Sequence, residues 1–284
     1  MSAPSVLMLM PAHNEEQRLG PALRHYLQYA RDHYPGKFEF VVVVNGCTDN
    51  TLGVVEQVAR DYPEVRHLVF PERIGKGGAS IEGLKLAPQA DLIGYVDADG
   101  ATSAASLFDL VGRAREADCV VGSRRVAGAV IHQLQPSHRQ FASKVFHLIV
   151  QLLFHMNIKD TQCGAKVLRQ AAALKVLDRL QIADMAFDVN LLYALKRAHC
   201  TLLEAPVEWT DHLGSKVRLF RTSLVMLLSV LRLRVIYSAF NPLLRLLRPL
   251  ETWIYTSLRT PPPLPPGAGK TPGTGRPPSS NTPG

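Results

Sequence analysis

The stretch Leu92-Ile93-Gly94-Tyr95-Val96-Asp97-Ala98-Asp99-Gly100 decides the fold. Leu92 to Val96 reads as a short buried strand, closed by two carboxylates one residue apart and then a glycine. Alternate side chains of an extended chain point the same way, so Asp97 and Asp99 face one side at the strand's carboxyl end. Open α/β sheets bind their ligands at that end. Two hard oxygen donors there suit Mg²⁺ or Mn²⁺ bridging to a diphosphate. Alone, the same residues also describe a solvated turn; the neighbouring segments decide between the two.

Upstream, apolar runs alternate with helical periodicity. Ser5–Met10 is expected as a first strand, followed by Pro11-Ala12-His13-Asn14-Glu15-Glu16 and a helix from near Glu15 to about Asp32. Phe38–Val44 is apolar almost throughout, as in a strand covered on both faces. Thr48, Asp49 or Asn50 is expected to cap the helix after the Asn45–Thr51 turn. Val65–Phe70 is a third strand. Gly75-Lys76-Gly77-Gly78 then opens a helix. This β-α repeat over roughly the first 100 residues predicts a mostly parallel, Rossmann-like sheet flanked by helices. Ligand loops are expected after each strand. The glycine run lacks the G-x-x-x-x-G-K-[ST] pattern of a phosphate loop and the third glycine of a dinucleotide fingerprint. Two readings stay open: a diphosphate neighbour at a helix N-terminus, with Arg73 and Lys76 at hand, or a structural glycine turn.

Downstream, a helix is expected over Ala104–Glu116, a strand over Cys119–Gly122, a loop over 126–136 and a helix from Ser137 to His155. Arg139 and Ser143 are four apart and share a face of that helix. Asp160-Thr161-Gln162-Cys163-Gly164 leads into a strand ending near Leu168. Phe187–Ala198 is a helix; its Asp188 suits either a helix start or a site. Thr201–Trp209 is a last strand, placed at a sheet edge by Pro206.

The net charge of +8 is unevenly spread. Lys216, Arg218, Arg221, Arg232, Arg234, Arg245 and Arg248 lie between Asp211 and Glu251 with no acid among them. Such an excess meets phosphates. The apolar run Leu224–Leu231 is far short of the ~20 residues of a spanning helix. Residues 217–258 therefore read as basic amphipathic helices on a membrane surface, with Trp253 and Tyr255 at the interface. The alternative is a helix packed on the catalytic domain with a solvated basic face. Residues 259–284, rich in proline and glycine, are expected to be disordered. Four scattered cysteines without C-x-x-C pairs fit a reducing compartment, and no secretion is expected.

Together, Pro11–Glu16, Asn45–Thr51, Gly75–Ala79, Asp97–Asp99, Gly122–Arg124, Asp160–Gly164, Phe187-Asp188 and Gly214–Lys216 resemble the family 2 glycosyltransferases of GT-A fold. The resemblance spans roughly residues 5–235. It is strongest to the polyprenyl-phosphate sugar transferases, especially dolichyl-phosphate glucosyl- and mannosyltransferases. It implies a catalytic domain over residues 1–216 and inverting transfer of a hexose from UDP-glucose or GDP-mannose to a polyprenyl phosphate at the cytoplasmic membrane face. In that reading Asp97 and Asp99 hold the metal and the nucleotide sugar. Pro11, Ala12, Asn14, Glu15 and Asn45 surround the nucleoside, and Lys76 serves the diphosphate. Arg124, Arg139, Ser143 and Lys216 take the acceptor phosphate, with Lys216 also available to the departing diphosphate. Asp160 lies near the reacting centre. The chain departs from the family at Val44-Asn45, where two aspartates are usual, so an amide replaces a carboxylate near the base. Neither the N-terminal anchor nor the paired transmembrane helices of several relatives is expected from these residues.

Other readings make different demands. A same-fold transferase acting on a soluble sugar or glycerate would ignore polyprenyl phosphate. A non-catalytic membrane- or nucleic-acid-binding module would bind phosphate polymers and ignore nucleotide sugars. The basic segment lacks the interleaved aromatics on which bases stack, so no nucleic-acid partner is expected. Nucleotidyl transfer would need a glycine- and arginine-rich loop after the first strand.

Overall fold

The computed structural model describes residues 3–132, 137–210, 219–241, 249–250 and 252–254, without the side chains of 137–139 and 219–221. The chain runs β1 (Val6–Ala12), α1 (Leu19–His33), β2 (Phe38–Asn45), α2 (Thr51–Asp61), β3 (Val65–Phe70), α3 (Gly75–Leu84) and β4 (Leu92–Val96). It continues through α4 (Ala104–Arg113), β5 (Cys119–Ser123), β6 (Val130–Ile131), α5 (Ser137–Phe154), β7 (Ala165–Arg169) and α6 (Gln170–Val176). It then passes to α7 (Phe187–Arg197), β8 (Leu202–Pro206), β9 (Glu208–Trp209) and α8 (Leu219–Ile236).

Seven strands form one sheet in the order β3-β2-β1-β4-β7-β5-β8. β3, β2, β1 and β4 are parallel, β7 runs antiparallel to both β4 and β5, and β8 is parallel to β5. This is the mostly parallel α/β sheet the sequence predicts. Strand alternation builds two cores. Leu7, Leu9, Val41, Val43, Ile93 and Tyr95 face a layer that includes α3, α5, α6 and α7. Val6, Met8, Met10, Phe40, Val42 and Val96 face α1, α2 and α4. Asp97, one step past Tyr95 in the same alternation, therefore projects toward the α3 and α7 side.

The differences from the sequence reading are local. The first helix begins at Leu19, because Glu15–Arg18 form a turn in which Glu15 O accepts from the Arg18 and Leu19 amides. Asn50 occupies the N-cap of α2 without a side-chain cap bond; Asp49 Oδ1 takes the Thr51 amide instead. The last strand is two: β8 carries Pro206 at the sheet edge, and β9 leaves to pair with β6, inside the segment expected to be a loop. A short helix, α6, follows β7 where no helix is expected from the sequence. Residues 133–136 and 255–284, including Tyr255 and the proline-rich tail, lie outside the described residues.

α8 packs on α5 and α7. It buries Val225, Val230 and Leu233, each contributing about 1.5–3 kcal/mol of apolar burial. Its Ser229 hydroxyl donates to the buried Asp184 carboxylate. No described helix is long and apolar enough to cross a membrane.

Candidate active site

The Asp97 backbone amide donates to Gly164 O at 3.1 Å, because β7 runs antiparallel to β4 and places Ala165 opposite Val96. A Cβ on Gly164 would fall 2.1 Å from Asp97 Oδ2, so only glycine lets the 160–164 loop lie against this carboxylate. Asp97 remains 36% exposed, and Asp99 accepts the Ala101 amide at 3.0 Å. Gly100 closes the turn at φ +71°, a left-handed conformation that glycine adopts without strain.

Lys76 Nζ lies 2.8 Å from Asp97 Oδ1 and 3.6 Å from Asp188 Oδ2. Burial works against its charge, but Asp97 and Asp188 outweigh burial and raise its pKa. Burial likewise raises the Asp97 carboxyl; Lys76 opposes it and Asp99 reinforces it. The glycines beside Lys76 serve packing. A Cβ on Gly77 would meet Ile182 O at 2.2 Å, and the Gly78 amide donates to Ala183 O at 3.1 Å. The 182–187 segment thus closes on the start of α3.

Beneath Lys76 lies a buried charge pair. Lys166 sits across from Tyr95 in the β4–β7 ladder, so both project into the same layer. Lys166 Nζ donates to Asp188 Oδ1 at 2.6 Å and to Cys163 O at 2.7 Å. The Tyr95 hydroxyl donates to the same Asp188 oxygen at 2.5 Å. Burial opposes ionisation of Asp188, but Lys166, Lys76 and the Tyr95 hydroxyl hold its pKa below the usual range. Asp188 belongs with this group as much as with the start of α7. Lys166 and Tyr95 went unnoticed in the sequence, although a lysine inside Ala165–Leu168 is the visible signal: lysine is almost never fully buried without a partner.

A second cluster adjoins the first. Arg124, just past β5, donates from Nε and Nη2 to the two oxygens of Asp160 at 2.7 and 3.0 Å, and its backbone amide donates to the same carboxylate at 3.0 Å. Burial opposes charge on Asp160, yet Arg124 lowers its pKa to about 2. Glu204 takes the amides of Lys159 and Asp160 at 2.8 and 2.9 Å and fixes the loop. The Arg124 guanidinium also lies over the Trp209 ring at 5.1 Å. Arg125 donates to Ser143 Oγ at 2.8 Å and to Lys159 O at 3.2 Å. Ser143 therefore meets Arg125, and the Arg139 side chain and Lys216 lie outside the described residues.

The predicted nucleoside residues gather at the ends of β1 and β2. The Asn45 side-chain amide donates to Ala12 O at 2.9 Å, while its buried Oδ1 has no hydrogen-bond partner. His13 Nδ1 shares a hydrogen bond with Asn45 O at 2.8 Å. Asn14 Oδ1 accepts the Thr48 amide, and the Glu15 amide donates to Thr51 Oγ1. Pro11 is the penultimate residue of β1, paired with Val43 of β2.

Among the described residues no group of three or more His, Cys, Asp or Glu side chains could enclose a metal. The carboxylate pair nevertheless fits a hard divalent cation, since Mg²⁺ commonly takes one or two carboxylates and completes its shell with water and substrate phosphate. Asp97 is already in contact with a cation, the Lys76 ammonium.

Residues 8–177 match the family model for Glycosyl transferase family 2. The chain is 30% identical over 230 residues to glycosyltransferase AglD of Haloferax volcanii, covering 80% of this chain and 36% of that protein. It is 32% identical over 222 residues to a dolichyl-phosphate beta-glucosyltransferase of Trichomonas vaginalis, covering 74% of this chain and 65% of that one. The chain thus spans less than two thirds of either relative. The crystal structure of Mycobacterium tuberculosis glucosyl-3-phosphoglycerate synthase with Mn²⁺, uridine diphosphate and phosphoglyceric acid has the same fold. Its TM-score is 0.63 at 16% identity, covering 83% of this chain and 80% of that one. With more than half of its residues inside the family match, this chain belongs to glycosyl transferase family 2.

Proposed function

We propose that this protein moves a hexose, glucose or mannose, from a nucleotide diphosphate sugar (UDP-glucose or GDP-mannose) to a polyprenyl or dolichyl phosphate, inverting the anomeric carbon. The observation that carries this reading is the Asp97–Gly164 contact. It brings together the carboxylates suited to a cation and diphosphate and the loop whose Asp160 grips Arg124. A donor diphosphate and an acceptor phosphate each need such a cationic partner. Relatives named dolichyl-phosphate beta-glucosyltransferase support glucose and a lipid acceptor.

When bound at Asp97 and Asp99, Mg²⁺ or Mn²⁺ supplies Lewis-acid neutralisation of the charge on the departing diphosphate. Lys76 stands ready to share that charge. Pro11, Ala12, Asn14, Glu15 and Asn45 frame the nucleoside. Arg124, Arg125 and Ser143, with Arg139 and Lys216, receive the acceptor phosphate. That phosphate, with a second pKa near 6, is already a nucleophile at neutral pH. No strong base is required, and Asp160, held at about 2, is a poor one. Its role is to position Arg124.

The lipid half of the acceptor has a counterpart on α5. Phe141, Val145, Leu148 and Leu152 recur at helical spacing and are exposed, Phe141 and Leu152 by 69% and 66%. This stripe begins beside the Arg125–Ser143 contact. It suits a chain end on the cytoplasmic face of a membrane, with the basic 217–258 segment against the headgroups. The test is to incubate the protein with each donor, Mn²⁺ and either a short polyprenyl phosphate or 3-phosphoglycerate. The reading expects sugar on the lipid only; transfer to phosphoglycerate alone would establish the soluble-acceptor alternative instead.

A further inference from the structure

We infer that Asp188 and Lys166 are positioning residues for the donor site, providing a second seat into which Lys76 retreats when a divalent cation and a nucleoside diphosphate take over Asp97. The inference rests on the donor reading above and adds to it a role for the buried pair behind Lys76. Asp188 Oδ1 is taken by Lys166 and Tyr95, at 2.6 and 2.5 Å. Oδ2 is turned to Lys76 at 3.6 Å, close enough for an ion pair and beyond hydrogen-bond contact. Lys76 makes its short contact, 2.8 Å, with Asp97. One ammonium is thus divided unequally between two carboxylates, on a flexible stem that a small torsional change can redirect.

Charge explains the arrangement. Asp97, Asp188, Lys76 and Lys166 form a neutral quartet. A cation arriving at Asp97 must displace Lys76, and an ammonium driven off without a partner would be costly in so enclosed a place, since Lys76 is 13% exposed. Asp188 supplies that partner. Lys166, fully buried, keeps Asp188 ionised and its Oδ1 occupied, which leaves Oδ2 for Lys76.

The experiment uses the full chain and measures Mn²⁺ alone, then UDP or GDP with Mn²⁺, by calorimetry or by the electron paramagnetic resonance of free Mn²⁺. The charge-balanced double variant Lys166→Met/Asp188→Asn removes the second seat. Lys76 then has only Asp97, and Mn²⁺ alone should bind several-fold more weakly than to wild type. Lys76→Met removes the competitor, so Mn²⁺ alone should bind more tightly than to wild type. Opposite effects on Mn²⁺ alone support the inference. A folded double variant that binds Mn²⁺ like wild type, or a Lys76→Met variant that loses Mn²⁺, overturns it and leaves the donor reading intact. A wild-type protein that takes up neither Mn²⁺ nor nucleoside diphosphate overturns the donor reading itself.

Discussion

Two carboxylates meet two cations at this site, and they do so differently. Asp160 is held by the fork of Arg124 through two side-chain bonds and a backbone amide, and is 2% exposed. Asp97 meets the single ammonium of Lys76, which it shares with Asp188, and stays open to solvent on one side. A planar guanidinium that satisfies both carboxylate oxygens commits itself; a point charge on a flexible stem can change partners. The first pair therefore reads as architecture that holds Arg124, the proposed phosphate ligand, still. The second reads as a site prepared for exchange.

The contrast predicts effects of different kinds. Arg124→Ala leaves a buried carboxylate without its partner and should destabilise the fold by about 3–5 kcal/mol, measurable as a lower denaturant midpoint. Arg124→Lys should recover only part of this, whereas Lys76→Met, beside the partly exposed Asp97 and with Asp188 still paired to Lys166, should cost less. Equal losses at the two positions would erase the distinction. Asp97→Asn should do the reverse of Arg124→Ala. It should fold normally and lower turnover about 10²–10³-fold, the usual cost of losing a main electrostatic stabiliser of the transition state.

Acid sharpens the same comparison. The Asp160 carboxyl is held at about 2 in the fold, against about 4 in an unfolded chain. A depressed carboxylate contributes stability that is full above the unfolded value and is lost as the pH falls through the folded one. The stability gap between wild type and Asp160→Asn should therefore narrow by roughly 2 kcal/mol between about pH 5 and pH 2. A gap that stays constant would mean that Asp160 is not held by its arginine.

The smallest effect belongs to the periphery. Phe141→Ser with Leu148→Ser should weaken partition onto anionic vesicles by about ten-fold, in line with about 1.4 kcal/mol of lost apolar contact, and leave donor binding unchanged. Unchanged vesicle partition would remove α5 from the lipid face.

Most of the framework was legible because its residues obey simple periodicities. The Phe38–Val44 run is buried on both faces, and β3 has the predicted bounds. Asp97 could be placed at a strand tip because alternation carries past the end of β4. Lys166 was missed because it interrupts an apolar strand pattern with a charge, and its partners Tyr95 and Asp188 lie 71 and 22 positions away. Local periodicity carries no record of such pairings. The glycines after Gly75 were ambiguous for the same reason. The need of Gly77 for space comes from Ile182 and Phe187, a segment the sequence does not link to it. Pro206 signalled an edge correctly, but the departure of β9 to pair with β6 depends on a contact between short segments with little pattern of their own.

In the proposed function, Asp97 and Asp99 bind a sugar nucleotide together with a divalent cation. Calorimetric titration of UDP-glucose and of GDP-mannose, with Mn²⁺ and with a chelator, tests it most directly. Heat of binding should appear for at least one donor with Mn²⁺ and be lost with the chelator and in Asp97→Asn. Binding of equal strength with the chelator, or undiminished in Asp97→Asn, would contradict it.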